Sequence, residues 1–171
     1  MIVRSALMYK WTLYGLAAAL CMAVQGMVLH RFHLWGVIPF LYPLLASIPA
    51  SFEDPFHGTS LSLGLGVVCD LILPDRLPCF YTLTFPLTGL ASSLLGRELL
   101  PGYLCSYAVS ALAFLMNGFF HCLFSGFPYW TAGAELSARE CLVTVPFFAP
   151  ILTALFRAVA ERTRYEEQRK G

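Results

Sequence analysis

Six stretches of this chain are apolar for most of their length, and the charged residues fall mainly in the breaks between them and at the ends. They run from about Trp11 to Leu29, Leu34 to Phe52, Gly58 to Pro74, Cys79 to Leu95, Tyr103 to Phe124 and Cys141 to Val159. At about 1.5 Å per residue, a helix over such a stretch approaches or crosses a hydrocarbon layer of roughly 30 Å. The pattern predicts an all-α integral membrane protein, a six-transmembrane-helix bundle. Residues 1–160 are the expected membrane domain and 161–171 a short polar cytoplasmic tail. Pro39, Pro43 and Pro49 lie inside the second stretch, so it is expected to be kinked or broken. Each proline frees a carbonyl that neighbouring helices or water must satisfy, which sets this stretch against the bundle. Residues 125–140 are expected to form the longest loop, with Tyr129 and Trp130 at the membrane surface, as Trp35 is after the first break.

The third stretch carries one carboxylate, Asp70. Counted in fours, Gly58, Ser62, Gly66 and Asp70 share one helix face. Small residues at this spacing let a neighbouring backbone approach closely, and a membrane carboxylate is expected to face protein or a wet cavity. Two more polar rows recur downstream: Thr84, Thr88 and Ser92, then Ser106, Ser110, Asn117 and His121. Asn117 is the expected partner of Asp70, because an amide both donates and accepts. On the first helix, Gly15, Ala19 and Ala23 form a possible partner-helix face, and Gln25 is an interior polar candidate.

Composition sharpens this picture. The 171 residues are 58% hydrophobic and 12% charged, about half the roughly 25% charged share of a soluble domain. The net charge of +1 and the absence of a basic, aromatic-interleaved stripe leave no signal for nucleic acid. With both ends on one side, eight of the 11 basic residues share that side against Arg31, Arg76 and Arg139. That asymmetry predicts cytoplasmic termini. The six cysteines never form C-x-x-C and are expected to be free packing thiols. Only one aspartate lies in a span, and no G-x-S-x-G, H-E-x-x-H or P-loop is present. His30 and His33 with Cys21 do not make a metal site. A non-enzymatic protein is expected, with no catalytic residue, metal or cofactor.

From Pro39, and then from Gly58 through Leu71, the chain resembles the rod shape-determining MreD family. The likeness rests on a proline-bearing second helix and a glycine-spaced third one ending in Asp-Leu: Gly58, Gly64, Gly66, Asp70 and Leu71. The pattern departs from the family at Ile38 and Phe40, where members often carry a charged pair, and after Leu71, where Pro74, Pro78 and Cys79 replace the usual glycine. The resemblance implies a multi-pass subunit of the bacterial plasma membrane in the cell-elongation machinery. Its expected partner is the membrane helix of an MreC-type scaffold, with indirect links to actin-like MreB and wall-synthesis enzymes, and the lipid bilayer around it. The competing expectation is the substrate-binding subunit of an energy-coupling-factor vitamin transporter, whose helix one carries an alanine stripe comparable to Ala19 and Ala23. A third treats Asp70 as a proton or ion relay.

Overall fold

The computed structural model describes residues 2–34, 36–73, 79–99, 102–125 and 130–170, with side chains described for 8–34, 36–73, 79–99, 102–124, 131 and 133–161. The expectations for Trp35, for the turn at 74–78, for Tyr129 and for the side chains of Trp130 and the tail lie outside those residues. Among the described residues six α-helices follow in order: α1 (Ile2–Met27), α2 (Tyr42–Ser51), α3 (Pro55–Ile72), α4 (Phe80–Glu98), α5 (Tyr103–Ser125) and α6 (Trp130–Lys170). Among the described residues there is no strand, only an isolated bridge between Leu34 and Val37. Four helices, α1, α3, α5 and α6, are long and apolar enough to cross a membrane, which marks a multi-pass membrane protein. The Tyr14 ring lies 5.9 Å from that of Phe156, so the middle of α1 packs against the later half of α6.

Two boundaries differ from the pattern. The second apolar stretch is helical only over the ten residues of α2, about 15 Å of rise, half a bilayer core. Gly36 adopts a φ of 76° and Pro39 follows, so the preceding chain runs non-helically. Pro43 then sits in the first turn of α2, where a missing N–H costs nothing. All ten α2 residues are buried, and α2 touches every other helix. Non-helical backbone at membrane depth persists only where protein satisfies it. Gln25 of α1, itself buried, does so: its Nε2 donates to Pro39 O at 2.8 Å and its Oε1 accepts from Leu41 N at 3.0 Å. Phe40 N donates to Thr144 Oγ1 of α6 at 3.0 Å.

The second difference is the expected loop at 125–140, which is helical from Trp130 onward. Ala134, Leu136 and Ala138 are strong helix formers, and Glu135 pairs with Arg139 one turn on. Ser137 donates to Phe114 O at 3.1 Å, pinning this turn to α5. Pro146 and Pro150 lie within α6 without ending it. Cys21, Cys69 and Cys105 are free and buried, Cys141 is free and half-buried, Cys79 is free and exposed, and Cys122 is buried.

Candidate functional site

The α3 stripe faces protein as its spacing predicts. Gly58, Ser62 and Gly66 are buried against α4 and α2. A Cβ on Gly58 would run into Ser93 Oγ and stand 3.0 Å from Ala50 O; one on Gly66 would run into the carbonyl of Tyr81. The arrangement is reciprocal, since a Cβ on Gly89 of α4 would run into Ser62 and one on Gly96 into the Ser51 carbonyl. Ser62 Oγ is 2.8 Å from Ala46 O and Ser93 Oγ is 2.9 Å from Ala50 O, so serines from α3 and α4 both donate to α2 carbonyls. Gly89, Ser93 and Gly96 repeat the i, i+4, i+7 spacing of a packing face, a signal in the sequence that the reading of α3 alone overlooked.

Asp70 is half-buried and ends this stripe as a cap. Its Oδ1 accepts from Tyr81 N at 3.0 Å, and its Oδ2 from Thr82 N at 2.7 Å and Thr82 Oγ1 at 2.5 Å. These are among the first amides of α4, which have no intrahelical acceptor, and a carboxylate there also meets the positive end of the helix dipole. The local cap position is Cys79, at φ 60° and with no side-chain bond of its own, so the capping oxygens come from the preceding helix.

Asn117 does not pair with Asp70. Its Oδ1 is buried without a hydrogen-bond partner, and α3 and α5 make no contact. α4 packs against both α3, which carries Asp70, and α5, which carries Asn117. His121 lies at the α5 end, its ring 5.8 Å from that of Phe80.

The face formed by Gly15, Ala19 and Ala23 points outward, while Tyr14, Ala17, Ala18 and Cys21 point into the core. The backbones of α1 and α3 stay apart, and the two helices meet through the rings of Trp11 and His57, 6.0 Å between centroids. Between them lies a groove of about 430 Å³ whose walls include Trp11, Gly15 and Ala19 on one side and Ser60 and Gly64 on the other. Neither Gly15 nor Gly64 has an atom within 4 Å of where a Cβ would stand. At the same end of α1, Lys10 binds Glu53 at 2.7 Å and Tyr14 donates to the other Glu53 oxygen at 2.8 Å. Among the described residues, no three His, Cys, Asp or Glu side chains gather as a metal site.

Comparison with protein-family models, with curated proteins and with solved structures gave no match in any of the three.

Proposed function

We propose that this chain is a non-enzymatic subunit of the bacterial cell-elongation complex, of the kind its resemblance to the MreD family implies. It sits in the plasma membrane with both termini cytoplasmic and receives the membrane helix of an MreC-type scaffold. Through that scaffold it links actin-like filaments to peptidoglycan synthesis. The observation that carries this reading is the α1–α3 groove, where a glycine on each wall borders open space. Glycine costs a helix about 1 kcal/mol relative to alanine. Inside the bundle Gly58, Gly66 and Gly89 offset that cost by seating a neighbouring helix, and Gly15 and Gly64 offer an incoming helix the same close approach. A vitamin-binding subunit needs polar groups converging on a pocket. The α5–α6 cavity of about 500 Å³ has Ser137 as its polar side chain, and that hydroxyl is already bonded to Phe114 O.

Affinity purification after mild detergent extraction tests the proposal. The unaltered chain should bring down a scaffold or wall-synthesis protein, and Gly15→Leu with Gly64→Leu should lose it while the fold persists. Recovery of no such protein with the unaltered chain would overturn the function. Undiminished recovery with the filled groove would overturn the docking site.

A further inference from the structure

α1 and α3 carry the same kind of small-residue row that seats α3 on α4, yet their backbones stay apart. On α1 the row is Gly15 and Ala19, and on α3 it is Ser60 and Gly64, all four in the groove walls. Small residues at this spacing let membrane helices pack backbone to backbone, as α3 and α4 do at Gly66 and Gly89. Here, among the described residues, no α-carbon of α1 comes within 8 Å of one on α3. Two small rows left unpacked require something that holds them apart.

Trp11 stands one turn before Gly15 on the same face of α1, and His57 stands two turns before Gly64 on α3. The two meet ring to ring, with 6.0 Å between centroids and a tilt of 49°, a separation typical of favourable aromatic pairs. Both rings occupy the faces along which the helices would close, so their bulk sets the spacing at that end. A single contact would act as a pivot. Polar bonds on either side deny α1 that freedom. Beside the rings, Glu53 accepts from Lys10 at 2.7 Å and from Tyr14 at 2.8 Å, with a side chain only 9% exposed. Just past Met22, the far end of the groove wall on α1, Gln25 is bonded to Pro39 O and Leu41 N.

We infer that α1 is held off α3 in the free chain, with Trp11 against His57 as the spacer and Glu53 and Gln25 as the anchors at the two ends of the open stretch. The groove therefore stands open before any helix arrives. An incoming helix does not have to separate two packed ones, a cost that pre-organised sites avoid. The inference rests on the groove as the docking face of the reading above, not on which helix enters it.

Cysteine trapping on the purified full chain, with no partner present, decides it. Gly15→Cys with Gly64→Cys puts two thiols into open space, and a disulfide needs α-carbons within about 4.4–6.8 Å of each other. Brief oxidation followed by peptide mapping, which separates this pair from the native cysteines, should find it unbridged. Adding Trp11→Ala, or independently His57→Ala, should make the bridge the major product in a chain that circular dichroism shows to be folded. A bridge already formed with both rings in place would overturn the inference, and so would an unbridged pair in either ring variant. Because no scaffold takes part, these outcomes are separate from those of the affinity purification.

Discussion

Asp70 Oδ2 lies 2.7 Å from the backbone nitrogen of Thr82, so the last turn of α3 closes the first turn of α4. One turn earlier on α3, Gly66 leaves no room for a side chain against the Tyr81 carbonyl. The two features depend on each other: only with the backbones in near contact at Gly66 does a side chain as short as aspartate reach the amides of Tyr81 and Thr82.

Removing the cap has a defined cost. Losing an N-cap costs about 0.5–2 kcal/mol, and hydrogen bonds to charged groups are worth about 1.5–3 kcal/mol. Asp70→Ala should therefore destabilise the detergent-solubilised chain by about 2–3 kcal/mol. Asp70→Asn, which keeps one acceptor, should lose about 1 kcal/mol. Equilibrium unfolding measures both, and a large functional loss in a stably folded Asp70→Asn chain would favour a charge-dependent role for this acid.

Two glycines on one helix should behave oppositely. Gly66→Ala places a methyl on the Tyr81 carbonyl and should cost about 1–3 kcal/mol through overpacking. Gly64→Ala meets open space and should leave the isolated chain unchanged or up to about 1 kcal/mol more stable. Thermal unfolding of the pair, side by side, checks this.

Gln25→Leu should be more damaging than its place on an apolar helix suggests. It strips Pro39 O and Leu41 N of their partner at a buried site. At about 1–3 kcal/mol for each of the two orphaned groups, the loss should reach about 2–6 kcal/mol. Faster amide exchange over residues 37–45 would locate the damage.

Relief of strain should stabilise the start of α4. Cys79 holds φ 60°, a left-handed conformation that costs an L-residue about 1–2 kcal/mol, and its side chain is exposed. Cys79→Gly should raise stability by about 1 kcal/mol, after the extra entropy lost by glycine on folding. An unchanged or lowered melting temperature would contradict this.

The α3 face was readable from sequence because Gly58, Ser62 and Gly66 follow helical spacing and small size has one use there. The capping role of Asp70 was not, because its acceptor and donors lie 11 and 12 residues apart across a chain reversal, whereas capping motifs are recognised from local spacing. Hydropathy could not separate α2 from a full span, since a short helix buried on every side is as apolar as one in lipid. The Gln25 bridge joins two segments with no shared periodicity. The early start of α6 was hidden because the polar residues between Thr131 and Glu140 look like a loop until α5 supplies their packing partner.

Site-specific photocrosslinking in living cells puts the outward face of α1 to the most direct test. A photoreactive residue at Ala19, in the groove wall, should give a discrete protein adduct containing a scaffold membrane helix. The same probe at Leu104, exposed on α5, should give none. Lipid-only labelling at Ala19, or the same protein adduct from both positions, would contradict a groove built to receive a helix.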